Sequence, residues 1–329
     1  MKALITGAAG FIGSHLTEAC LARGWDVVAI DAMTTYYSPT MKVENARHFR
    51  HHPRCTFIEA DLLEVDLPEL LADTDVVFHL AAQAGVRASW GLSFDVYTKL
   101  NVTLLQRLLE TARESPLKLF VFASSSSVYG DAETLPTSED LALRPLSPYG
   151  ATKALGEHLL YLYFRNYGVP TVALRYFSVY GPRQRPDMAF HRIIESALSG
   201  EEFNLFGDGR QTRDFTYVAD VVDATIAAVE RGEPGATYNI GGGSRISMRE
   251  VLTIIREELG ELKVAEADGQ LGDARNTAAD ISRAAAALGY APSWDVPSGI
   301  REQAVWHRSR RHTDGLVTAM AAAEDPRSR

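Results

Sequence analysis

Only two cysteines, Cys20 and Cys55, occur in 329 residues. Two thiols make neither a disulfide framework nor a four-ligand zinc site, so a reducing, cytoplasmic setting and plain packing roles are expected. Long apolar runs are also missing. No stretch approaches the roughly 20 residues of a membrane span, and strand-like KALIT starts at Lys2 with no signal-peptide pattern, so no membrane partner is expected. Net charge is −9, and no basic block precedes the short stretch at 308–311. Nucleic acid is therefore disfavoured, because phosphate binding needs clustered Lys and Arg. His48, His51 and His52 cluster without carboxylates at ligand spacing; they read as a solvated loop, and no metal is expected.

What is present is an ordinary globular mixture, 46% hydrophobic and 23% charged, at a length that suits two domains. Short, continuously apolar runs at residues 2–6, 25–31, 75–81, 117–123 and 169–177 read as strands covered on both faces. Helical patterns separate them at 11–23, 93–114 and 148–166. This βαβ rhythm predicts an α/β fold: a doubly wound (Rossmann) parallel sheet with a smaller, mostly C-terminal substrate-binding domain. Residues 1–177 are expected to form the dinucleotide-binding domain, with 216–241 returning to it. Residues 178–215 and 242–312 supply the second domain, 299–311 being helical, and 313–329 read as a frayed tail.

KALITGAAGFIGSH joins the first strand to the first helix through Gly7, Gly10 and Gly13. Glycines let the backbone turn tightly against a pyrophosphate, and the helix amino end supplies N–H groups and a positive dipole. Asp31 closes the next strand about 20 residues on, where a carboxylate accepts from a ribose 2′-hydroxyl and repels a 2′-phosphate. NAD is thus expected rather than NADP.

SPYGATKALGEHLL opens a helix with Ser147 as N-cap and Pro148 in the first turn, ending near Gly168. Tyr149 and Lys153 are four apart and share a face. A phenol is a poor base at neutral pH unless cations nearby favour its ionised form. The spacing alone is common; its place after a nucleotide loop and a strand ending in SSSSVYG gives it weight.

TGAAGFIGSH, HLAAQAGVR, SSSSVYG, YGATK, RYFSVYGP and GDGRQTRDFTYVAD, in this order over about 1–301, resemble the extended short-chain dehydrogenase/reductase family, in particular its nucleotide-sugar epimerases and dehydratases. The resemblance implies Tyr149 as base, Lys153 holding the nicotinamide ribose and lowering the tyrosine pKa, and Ser125 bonding the reacting hydroxyl. Phe11 and Ile12 join the glycine loop around NAD, Asp61 and Leu62 flank the adenine, and Ala81, Ala82 and Gln83 line the pyrophosphate side. Tyr176 and Ser178 border the nicotinamide, whereas Asn101 is read as structural. Arg87, Phe206, Arg213, Asp273 and Arg275 are candidate substrate contacts, and a homodimer through the helices at 93–114 and 148–166 is a family-level expectation.

Related dehydratases resemble TDEVYG, and decarboxylases carry a Glu, where this chain has Ser126 and Ser127. A hydroxyl does not replace a carboxylate as a proton shuttle near neutral pH, so epimerisation is expected rather than elimination or decarboxylation. RYFSVYGPRQRPDMAF resembles the UDP-glucuronate 4-epimerases. It makes Arg185 the candidate partner of a sugar carboxylate, with Ser127 and Ser178 as further donors. Arg183 and Gln184 depart from the family pattern, which often has an aromatic and a small residue there. The expected activity is NAD-dependent epimerisation at carbon 4 of a UDP-sugar, UDP-glucuronate to UDP-galacturonate, through a transient 4-keto sugar. The alternatives are a UDP-glucose/UDP-galactose or N-acetylhexosamine 4-epimerase and, outside enzymes, an NAD-binding regulatory protein of the same fold.

Overall fold

The computed structural model of the chain describes residues 1–268, 272 and 274–323. Strands β1 (Lys2–Thr6), β2 (Asp26–Asp31), β3 (Cys55–Glu59), β4 (Val76–His79), β5 (Leu119–Ser125) and β6 (Thr171–Tyr176) form one parallel sheet in the order 3-2-1-4-5-6. The strand Thr237–Ile240 adds a seventh member beside β6. That order places the topological switch between β1 and β4, above whose carboxyl ends ligands bind.

Alternate residues face opposite sides, and both sides are covered. Ala3, Ile5, Leu119 and Val121 enter one core cluster, while Leu4, Phe120 and Phe122 enter another with Leu105 and Leu109. Continuous apolar runs are what such a sheet demands. Helix α1 (Phe11–Ala22) follows β1, and α2 (Pro39–Ala46), which was not anticipated, follows β2.

The helix Pro148–Tyr167 has the predicted ends. Ser147 accepts from Gly150 N at 3.1 Å, and Gly168 closes it at φ 71°. The expected helix at 93–114 is instead broken: Phe94–Tyr97 is α-helical, Thr98–Thr103 forms a π segment, and Leu104–Ala112 resumes the α-helix. The π segment aims Asn101 at a partner outside the helix, described below, and such insertions concentrate at functional sites.

Beyond β6 three small pairings build the cap of the site. Val179–Tyr180 lies parallel to Thr216–Tyr217, Thr212–Asp214 antiparallel to Arg245–Ser247, and Phe203–Phe206 parallel to Val264–Ala267. The last helix spans Val296–Ala323, so helical backbone continues where a tail from residue 313 was expected. Among the described residues no helix is long and apolar enough to cross a membrane.

Candidate active site

The glycine loop is sterically committed. Gly7 sits at φ 70°, where a Cβ would meet Ala81 N at 2.9 Å, and a Cβ on Gly13 would come within 2.1 Å of Gly7 O. Gly10, the N-cap of α1, makes no side-chain cap bond, which leaves the first-turn N–H groups facing the loop mouth. That arrangement fits an anionic group such as a dinucleotide pyrophosphate.

Asp31 is less open than its position suggested. It is buried and accepts from Ala9 N at 3.1 Å and Met33 N at 2.8 Å, and it pairs with Lys42 Nζ at 3.2 Å. Lys42 comes from α2 and went unrecognised in the sequence. Asp61 accepts from Leu63 N, and the Leu62 side chain is buried in the core cluster that also holds Leu4 and Val28, so only the Leu62 backbone is available to a ligand. Ala81 N donates to Thr6 Oγ1 at 3.1 Å. Gln83 is held at both backbone ends by Asn101, which accepts from Gln83 N at 2.7 Å and donates to Gln83 O and Thr152 Oγ1 at 3.0 Å each. Asn101 thereby ties the segment after β4, containing Ala81, Ala82 and Gln83, to the tyrosine helix.

A cavity of about 550 Å³ opens beside the loop. Its lining includes Phe11, Ile12, Tyr149, Tyr176 and Ser178, the serines Ser125, Ser126 and Ser127, and Arg87, Arg185, Phe206 and Arg213. Residues far apart in sequence and predicted separately thus share one space. Gly150 makes the approach possible, because a Cβ there would lie 2.5 Å from Ser127 O. Ser125 Oγ donates to Ser127 Oγ at 3.1 Å, and the Ser125 hydroxyl favours the ionised form of Tyr149. Arg87 lies over the Phe206 ring at 4.5 Å. Tyr176 lines the cavity, and its hydroxyl bonds Thr225 Oγ1 at 2.8 Å.

Three of the expected site residues hold partners within the chain. The Lys153 ammonium donates to Ala123 O at 2.7 Å and lies over Phe122, and burial pulls its pKa down to about 7. Burial raises the Tyr149 pKa, opposed first by the Arg185 guanidinium and then by the Ser125 hydroxyl, while the Lys153 ammonium lies 6.0 Å from the centre of the Tyr149 ring. Arg185 already grips a carboxylate of its own chain: Nε and Nη2 each meet an Asp187 oxygen at 2.9 Å. Asp187 also lines the cavity, so a carboxyl group does stand near the site, although ion-paired. Finally, Arg275 turns outward to Asp208 at 3.7 Å while its carbonyl accepts from Arg213 Nη1 at 3.0 Å. Asp273 lies outside the described residues. Further cavity residues that the sequence did not single out are Tyr36, Arg192 and Gln211.

One grouping with metal-ligand types, His191, Glu195 and His307, also went unnoticed; its ligating atoms lie within 4.8 Å of one another. Its carboxylate is committed, however. Glu195 meets His307 Nδ1 at 2.5 Å and Arg311 Nη2 at 2.9 Å, joining helix Ala189–Ser199 to the last helix.

The comparisons with known proteins agree with this geometry. The profile of the NAD dependent epimerase/dehydratase family matches residues 3–241, and the chain belongs to that family. It is an NAD-dependent enzyme. A crystal structure of UDP-glucuronic acid 4-epimerase from Bacillus cereus, in complex with UDP-glucuronic acid and NAD, superposes with a TM-score of 0.92. It is 43% identical, and the match covers 94% of this chain and 99% of that one. The uncharacterized UDP-glucose epimerase YtcB of Bacillus subtilis (strain 168) is 46% identical over 92% of this chain and 96% of its own length. The UDP-glucose 4-epimerase of Mycolicibacterium smegmatis (strain ATCC 700084 / mc(2)155) is 37% identical over 94% and 99%.

Proposed function

We propose that this protein is a UDP-glucuronate 4-epimerase that interconverts UDP-glucuronate and UDP-galacturonate. The coarser class, an NAD-dependent nucleotide-sugar 4-epimerase and hence an isomerase, rests on the family match and on relatives of that activity. The observation that carries the finer reading is a half-buried arginine, Arg185, lining the same cavity as Tyr149 and Ser125. A guanidinium in a largely desolvated site favours a planar carboxylate strongly over a neutral hydroxymethyl group.

The glycine loop of α1, Gly7 to Gly13, would hold NAD, which would supply a reversible hydride acceptor. Tyr149 takes the proton of the carbon-4 hydroxyl and restores it after the 4-keto sugar has presented its other face. Ser125 holds that oxygen, and Lys153, whose ammonium is directed at Ala123 O, is the group to hold the cofactor ribose. Ser126 and Ser127 stand where a dehydratase or decarboxylase needs an acid, and the one carboxylate among the described lining residues, Asp187, is paired with Arg185. A proton-transfer group for a second step is thus missing from those positions. Arg185 and the serines fix the sugar carboxylate, which keeps a β-keto acid from reaching the geometry for loss of carbon dioxide.

The decisive experiment incubates purified protein with UDP-glucuronate, UDP-glucose and UDP-N-acetylglucosamine and identifies the products. UDP-galacturonate without net NADH is expected; a pentose product, or NADH accumulation, overturns the proposal. A second reading, UDP-glucose 4-epimerase, is favoured by the Asp187 carboxylate already seated on Arg185. It predicts turnover of UDP-glucose and none of the uronate. The dimer belongs to this proposal too: Leu155, Tyr161 and Leu162 on helix Pro148–Tyr167 are exposed apolar groups that a second copy would cover.

A further inference from the structure

The loop that delivers Arg185 starts with a tight turn, Gly181-Pro182-Arg183-Gln184, closed by Gln184 N to Gly181 O at 3.2 Å. Proline second and a positive φ third is the pattern of a type II turn, whose third place belongs to Gly or Asn. Here it is Arg183, at φ 66°. A residue with a Cβ keeps that conformation only where its surroundings over-determine it, and such outliers gather at functional sites.

The surroundings act from two sides. From α1, His15 Nε2 bonds Pro182 O at 2.9 Å, and Glu18 Oε1 pairs with Arg183 Nη2 at 2.8 Å. His15 and Glu18 are three residues apart and share one face of the helix whose amino end holds the dinucleotide loop. Burial, then Arg183, pulls the His15 pKa down to about 4, so the ring is neutral and Nε2 is the nitrogen that donates. From behind, Gln303 of the last helix accepts from Gly181 N at 3.0 Å and donates to Gln184 Oε1 at 3.0 Å. Gln184 Oε1 also accepts from His191 N, and its amide donates to Val179 O. Both glutamine side chains are buried. Arg183 is itself only 13% exposed, and its Nη1 makes no hydrogen bond among the described residues. A cation with one buried, unsatisfied nitrogen in a strained conformation is a poor choice for stability alone.

We propose that Arg183 is a positioning residue: the Arg183–Glu18 ion pair pins the substrate loop to the dinucleotide helix and thereby sets the aim of Arg185, two residues on. The sequence departure at Arg183 then has a use. Glycine would make the turn without strain but would lose the tether. The inference rests on the reading of Arg185 as the partner of the sugar carboxylate.

Arg183→Gly separates the two roles, because it keeps the turn and removes only the ion pair. With UDP-glucuronate, KM is expected to rise about tenfold while kcat stays within about twofold. The melting temperature should be unchanged or higher, and inhibition by UDP, which has no uronate, should be unaltered. Glu18→Gln should reproduce the KM effect, and the double variant should add nothing to it. A folded Arg183→Gly protein with wild-type KM for the uronate overturns the proposal, as does full additivity of the two changes. Wild-type protein that ignores UDP-glucuronate sinks the Arg185 reading and this inference with it. A wild type that turns it over, beside an indifferent Arg183→Gly, sinks this inference alone.

Discussion

Two arginine–carboxylate forks lie ten residues apart and behave as different objects. Arg175 and Glu157 are 6% and 7% exposed, with Nη2 and Oε2 at 2.6 Å. Third parties crowd this pair: Ser124 donates to Glu157, and Arg175 reaches the Tyr129 hydroxyl, which in turn donates to Asn239. Arg185 and Asp187 are 20% and 38% exposed, and among the described residues Asp187 accepts one further hydrogen bond, from Tyr36 at 3.4 Å. The chemistry is the same in both. The number of outside partners decides whether a fork is architecture or a grip that a ligand can take over. A buried pair with every lone pair used resists exchange, because removing one member strands the other. A pair facing a cavity with one arm held lightly is exchangeable.

The largest effect should come from the reacting group that the second fork serves. Tyr149→Phe is expected to lower kcat at least about a thousandfold while NAD stays bound, checked by turnover and by cofactor retained through purification. Near-normal turnover would remove Tyr149 as the base. The inner fork should break as stability: Glu157→Ala leaves Arg175 uncompensated and should cost about 3–5 kcal/mol in urea unfolding. A cost below about 1 kcal/mol would erase the distinction between the two pairs. The outer fork should break as function. Arg185→Ala should lower kcat/KM for UDP-glucuronate about a hundredfold, spare UDP-glucose to within about tenfold, and barely move the melting temperature. Because Arg185 favours the Tyr149 phenolate, its loss raises the Tyr149 pKa, and the acidic limb of the rate profile should shift to higher pH. Equal losses for both sugars would undo the carboxylate assignment.

The first fork illustrates what a sequence hides. The Rossmann order, the glycine turn and the tyrosine helix were legible because their signals are local: apolar runs, a strand–glycine–helix junction, Ser147 at one helix end and Gly168 at the other. Partners that meet across the fold were not. Nothing near Asn101 announces that a π segment will bring it to Gln83, and nothing near Glu157 names Arg175, eighteen residues away. The predicted role of Lys153 came from position alone. Its contact with Ala123 O depends on where β5 ends relative to the helix, a tertiary fact. Arg275 and Arg213 read alike in sequence, yet one faces solvent and the other the cavity. Side chains long enough to choose between two directions are settled by packing, which a linear pattern does not encode.

The smallest expected effect concerns acid, and it separates the surroundings of the two forks. Around the outer one sits His191, buried on helix Ala189–Ser199, whose pKa is lowered to about 4 by burial first and by His307 second. No histidine contacts the inner fork among the hydrogen bonds that build it. A base whose folded pKa lies below its unfolded value of about 6.5 contributes stability that is whole above that value. The contribution is lost as pH falls through the interval towards 4, because the unfolded chain takes up the proton and the folded one refuses it. Between pH 7 and pH 5, His191 alone should account for about 1–2 kcal/mol of lost stability. His191→Asn keeps a polar side chain without the titration, so its urea midpoint should fall less over that interval than the wild-type midpoint. Parallel declines in the two proteins would show that His191 is not protonated on unfolding in this range, and that the substrate loop draws no pH sensitivity from it.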